Sequence, residues 1–135
     1  MEIYGGERIR LGEEGHLGPL GPLPGVEVTE ATEQAKVVAY LRGRGWLFTA
    51  TANGVGAGRM QWVQLARSGV APGVPDLLVF EAVAGYRGVA IELKTARGKV
   101  SVEQARWIEA LRSRGWYAFV AYGADEAIAK LETLR

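Results

Sequence analysis

The chain has 135 residues, 48% hydrophobic and 23% charged with a net charge of +1, which fits one globular domain and argues against a disordered chain. No apolar run approaches the ~18–20 residues that span a bilayer and the first residues lack a leader pattern, so a cytoplasmic protein with no membrane partner is expected. Cysteine is absent and His16 is the one histidine, which excludes disulfides and thiolate zinc sites, argues against a His-based triad, and leaves Mg²⁺, Mn²⁺ or Ca²⁺ on oxygen ligands as the metal chemistry open to it.

Residues 1–28 are rich in Gly and Pro and read as an arm with at most one short strand, around Glu7–Leu11. Residues 29–135 read as one domain. Thr29 is a suitable N-cap for a helix running to Arg44, with acidic residues in its first turn and Gly43 or Gly45 as its stop. Its apolar stripe is Val37, Tyr40 and Leu41, and Glu33 lies one turn before Val37 on that stripe, so its carboxylate points inward. The run Trp46–Ala52 predicts a strand, followed by the loop Asn53–Gly58 and a short helix around Met60–Ser68. That loop lacks the Gly-Lys-Ser/Thr ending of a phosphate-cradling P-loop.

Asp76–Val83 and Gly88–Lys94 predict two strands joined by a turn around Ala84–Gly88, a hairpin. Ser101-Val-Glu-Gln104 has the form of a capping box and opens a helix whose stripe is Gln104, Trp107, Ile108 and Leu111 and whose stop is Gly115. A strand over Trp116–Tyr122 and a helix over Ala124–Leu134 close the chain. Trp107 and Trp116 are most simply core residues, whereas Trp62 fits base stacking, a subunit seam or plain packing.

The chemistry is concentrated in Gly73-Val-Pro-Asp76 and Ile91-Glu92-Leu93-Lys94, where fifteen residues separate Asp76 from Glu92. Alternate residues of a strand share a face, so Glu92 and Lys94 project together. In a hairpin the start of one strand lies near the end of the other, which brings Asp76 to them. Two carboxylates, waters and the Leu93 backbone carbonyl are the hard oxygen donors that Mg²⁺ prefers. Such an ion polarises a phosphate and lowers the pKa of bound water, and a neighbouring lysine balances charge in the transition state. A solvated charge pair with a turn aspartate is the competing reading of the same short pattern.

The series Glu33-Gln34, Gly73-Val-Pro-Asp76-Leu, Ile91-Glu92-Leu93-Lys94 and Gly98-Lys-Val-Ser101-Val-Glu-Gln104, followed by Leu111 and Gly115, resembles the VRR-NUC family over residues 29–123. That family is a branch of the PD-(D/E)xK nuclease superfamily. The resemblance implies an α/β fold with a restriction-endonuclease-like core, a central four-stranded mixed sheet flanked by helices. It implies Asp76 and Glu92 as metal ligands, Lys94 as the catalytic lysine, Glu33 as a third acid from the first helix and Gln104 as a lining residue from the second. It also implies Mg²⁺ as cofactor with Mn²⁺ substituting, and a homodimer cutting four-way DNA junctions in a bacterial or phage-infected cell.

Two of these residues have a second reading: Glu33 as a first-turn acid stabilised by the helix dipole, and Gln104 as half of a capping box. Residues 86–116 hold seven basic and three acidic side chains against two and seven in residues 1–33, so a local basic patch for DNA is available despite the small net charge. Arg97 and Lys99, just after Lys94, are the first candidates for phosphate contacts. Arg59 is a weaker one, and Asn53 matches an asparagine of the family in a loop that otherwise departs from it. A monomeric flap- or single-strand-specific nickase, or a non-catalytic DNA-binding module of the same fold, are the alternatives. The second sits poorly with two acids beside a phosphate, which repel it unless a cation intervenes.

Overall fold

The computed structural model of the chain describes residues 2–4, 7–9, 29–51 and 59–135. Two three-residue strands, β1 (Glu2–Tyr4) and β2 (Glu7–Ile9), pair antiparallel with Ile3 opposite Arg8. The sequence predicts only the second of them, because three residues are too few for a visible alternation. Helix α1 (Glu30–Gly43) begins at Thr29, whose side chain accepts from the Thr32 N–H at 3.2 Å, while Thr32 Oγ1 accepts from the Thr29 N–H at 2.8 Å. Two otherwise orphaned donors are thereby satisfied.

The remaining elements are β3 (Phe48–Ala50), α2 (Arg59–Arg67), β4 (Leu77–Val79), β5 (Val89–Lys94), α3 (Val102–Arg112), β6 (Tyr117–Tyr122) and α4 (Ala124–Glu132). Their order follows the sequence reading, with the strands trimmed at their ends. The sheet runs β3-β4-β5-β6, antiparallel except for the parallel pair β5 and β6. The four-stranded mixed sheet expected from the sequence is present. Strand β4 stops earlier than predicted because the chain after Phe80 folds into its own small turn, closed by reciprocal Val83 and Tyr86 backbone bonds. Ala84 and Gly85 sit at its centre with φ of 52° and 84°, the positive pair that a two-residue hairpin turn demands.

Strand β5 is buried along almost its whole length, as a strand covered on both faces should be. Its odd positions Val89, Ile91 and Leu93 join Leu77, Val79, Phe119 and Ala121 beneath α1 and α4, forming the main core. Its even position Ala90 joins Ala118 and Ile108 in a smaller core beneath α3. Glu92, next on the even side, therefore lands on the α3 face. Arg44 locks the end of α1 to the end of α4: it donates to the Leu131 and Leu134 carbonyls at 3.1 and 3.0 Å and stacks on Trp46 at 3.8 Å. Among the described residues no helix is long and apolar enough to cross a membrane.

Candidate active site

The β4–β5 register pairs Leu77 with Ile91 and Leu78 with Ala90. Continued by one residue, it sets Asp76 directly opposite Glu92. Pro75 and Asp76 lie just before β4, and Asp76 replaces the missing ladder bond with its side chain: Oδ2 accepts from the Leu93 N–H at 2.8 Å. Thr51 pins the same corner from β3, donating its N–H to the Asp76 carbonyl at 2.9 Å and its hydroxyl to the Pro75 carbonyl at 2.8 Å. No sequence feature marked Thr51, because its role is set by cross-strand register.

Glu92 is only 2% exposed. Gln104 Nε2 donates to its Oε1 at 2.8 Å, and Lys94 Nζ lies 3.9 Å from the same oxygen. Oε2 is also buried but receives no donor. Burial above all, then the Asp76 carboxylate beside it, pushes the Glu92 carboxyl up to about 8, with Lys94 acting in the opposite direction. A buried carboxylate with an unserved oxygen, facing a second carboxylate, is the environment a bound cation relieves.

Gln104 makes the capping contacts of α3 and the contact to Glu92 at once. Its Oε1 accepts from the Ser101 N–H at 2.9 Å, and its own N–H donates to Ser101 Oγ at 3.1 Å, completing the capping box. With the amide oxygen engaged at the cap, the amide nitrogen is aimed at Glu92. The approach of α3 to this corner requires Gly73: with φ of +88°, a Cβ there would lie 2.6 Å from Glu103 backbone and side-chain carbons. Gly98 likewise leaves room for the stem of Lys94, to which a Cβ would come within 3.1 Å.

Asp76, Glu92, Lys94 and Gln104 share a cavity of about 300 Å³ with Glu30 and Trp62. Glu33, expected as the third acid, is not in it. Its carboxylate pairs with Lys36 at 2.8 Å and accepts from the Ala124 N–H at 3.3 Å. The Lys36 ammonium, helped by that N–H and opposed by burial, holds its carboxyl below the usual range. Helix α4 begins at Gly123, which has no capping side chain, so Glu33 serves as its cap from a neighbouring helix. The inward stripe of α1 leads to α4 at this point, and the acid that reaches the cavity is Glu30, one turn earlier. Accordingly, among the described residues no three acids or histidines gather into one metal cluster.

Arg97 and Lys99 are exposed in the turn after Lys94. Arg59 opens α2, but its side chain lies outside the described residues, as does the whole of Asn53. One carboxylate just before β4 and one on β5, a lysine on the same face of β5 and a glutamine from the following helix, arranged on a mixed four-stranded sheet, define a nuclease-like domain of the PD-(D/E)xK class. The VRR-NUC domain model matches residues 7–125, and the chain belongs to the VRR-NUC family of nucleases. A solved structure described as a VRR_NUC domain protein is similar at 24% identity over 80% of this chain and 88% of that one, with a TM-score of 0.68. That likeness supports the fold. Curated proteins give no match.

Proposed function

We propose that this nuclease is a Mg²⁺-dependent endodeoxyribonuclease that hydrolyses phosphodiester bonds in branched DNA, working as a homodimer on four-way junctions. The observation that carries the catalytic part is the buried Glu92, with Oε2 lacking a donor, set opposite Asp76. The donor set fits a hard cation: two carboxylates, with the remaining positions left to main-chain oxygen, water and phosphate. Leu93 gives its N–H to Asp76, and in an extended strand the carbonyl of a residue lies on the same edge as its N–H. Asp76, Glu92 and the Leu93 carbonyl would therefore hold the ion. The chemistry supplied there by Mg²⁺, or by Mn²⁺ in its place, would be polarisation of the phosphate, a lowered pKa for a coordinated water and neutralisation of the leaving oxygen.

Lys94 brings its ammonium to the edge of the acid pair, where it orients the attacking water and balances charge accumulating on the phosphate. Gln104 positions Glu92 by occupying Oε1, which leaves Oε2 as the oxygen without a donor. Arg97 and Lys99 follow Lys94 directly and supply contacts to the flanking backbone. Resolution of a junction needs two related cuts, and a two-fold dimer with one site per chain provides both at a fixed separation.

The test is incubation with labelled four-way junction, flap, single-stranded and linear duplex DNA in Mg²⁺, Mn²⁺ or EDTA. Metal-dependent cleavage is expected, strongest on the junction and lost in Asp76→Asn and Lys94→Ala. Absence of cleavage on every substrate would remove the catalytic proposal. A monomer by light scattering at micromolar concentration would remove the junction-resolving part and favour the flap or single-strand activity.

A further inference from the structure

Trp62 does not belong to the hydrolytic chemistry, yet it lines the cavity of Asp76, Glu92 and Lys94. It stands on α2, a helix of nine residues, a length too short to persist without tertiary contacts. Of residues 61–67, all but Trp62 are exposed, Val63 and Leu65 included. Among the described side chains of α2, the Trp62 indole is the one that is half-buried. Among the described residues its ring has neither an aromatic nor a cationic partner.

The other walls of the cavity are polar or charged, save Pro72, Gly73 and the stem of Lys94. A phosphate and its cation use the carboxylates, the lysine and the amide, and have no use for an indole face. A nucleobase has. We infer that Trp62 is a stacking platform for the base next to the scissile phosphate, and that the enzyme selects phosphates beside an unstacked base. Inside a continuous duplex both faces of every base are already covered, so such a base is offered only at a branch point, a flap or a single strand. This inference rests on the nuclease reading of the same cavity and adds the feature of DNA that it recognises.

The experiment measures binding, so that it is read separately from cleavage. Ca²⁺ replaces Mg²⁺, and the DNA is a flap with 2-aminopurine at the branch nucleotide, compared with a fully paired duplex carrying the same probe. The native protein is expected to quench the flap probe and leave the duplex probe unchanged. Trp62→Ala should weaken flap binding about 5- to 150-fold, the range for losing one base–aromatic stack, and abolish the quenching. Trp62→Phe should restore most of both, and duplex affinity should change less than about twofold in either variant. Equal weakening for duplex and flap, failure of Trp62→Phe to restore binding, or an unchanged flap affinity in Trp62→Ala would overturn the inference. Failure of the native protein to cleave in Mg²⁺ would overturn the catalytic proposal and leave these binding outcomes readable.

Discussion

Replacing Glu92 by Gln should make the metal-free protein more stable and the enzyme inactive. The folded-state carboxyl sits near 8 against 4.5 in its ordinary environment. Between those values the folded chain holds a proton that the unfolded chain has released, so stability is fully present below pH 4.5 and is lost as pH rises towards 8. Each pH step in that window costs ~1.4 kcal/mol, which at pH 7 accumulates to about 3 kcal/mol as an upper bound. Solvent entering the open cavity reduces this, and a gain of about 1–3 kcal/mol for Glu92→Gln at pH 7 is the expected outcome. At pH 5 the native side chain is already protonated in the fold, and the gain should shrink to a few tenths of a kcal/mol. Thermal unfolding in EDTA at the two pH values reads it, as a shift of roughly 3–5 °C per kcal/mol for a domain of this size. Added Mg²⁺ should stabilise the native protein and not the variant. A gap that is the same at pH 5 and pH 7, or a variant less stable than the native protein at pH 7, would refute the picture of a buried carboxylate held against another.

Glu33→Ala should cost about 1 kcal/mol of stability through the lost cap on α4 while cleavage persists; denaturant unfolding and a cleavage assay on one preparation separate the two. Gln104→Ala should lower cleavage roughly 10- to 100-fold by freeing Glu92, whereas Ser101→Ala, which removes only the cap, should cost about 1 kcal/mol and leave the rate near native. Gly73→Ala should cost roughly 2–4 kcal/mol, from a φ of +88° that disfavours a side chain and a contact of 2.6 Å with Glu103. Its cleavage should fall as well, because α3 carries Gln104, and urea unfolding alongside single-turnover kinetics checks both effects.

Much of this architecture was legible in the sequence, because it rests on local rules. Thr29 and Ser101 mark helix starts by side-chain geometry confined to four residues, and both N-caps form. The E-x-K spacing fixes Glu92 and Lys94 on one face whatever the sheet does around them. Harder to read were features decided between elements. Glu30 and Glu33 stand three residues apart on the same side of α1, and which of them meets the cavity depends on where α4 places the N–H of Ala124. Thr51 acquires its place from the register of β3 on β4, and Gly73 from the path of α3. In each case the deciding partner is more than twenty residues away, beyond the reach of periodicity.

The acid pair is unfavourable on its own, and the surrounding structure explains how it persists. Two carboxylates face each other across neighbouring strands, where cross-strand like charges repel. The strand that carries Glu92 is gripped from both sides: an antiparallel neighbour whose first turn is pinned by Thr51, and a parallel one, β6, whose outer edge is itself closed. There Arg112 donates to the Ala118 carbonyl at 2.8 Å, Lys130 to the Val120 carbonyl at 3.2 Å, and Glu126 accepts from the Tyr122 N–H at 2.9 Å. Side chains of α3 and α4 thus occupy the edge bonds that another strand would seek, a device that keeps an edge from pairing further. The same three contacts tie both helices to the sheet that supports the acids. Relaxation of β5, the simplest way to separate Asp76 from Glu92, would have to break bonds on both of its neighbours. What is left is to neutralise the charge, with a proton or, under the proposed function, with a bound cation.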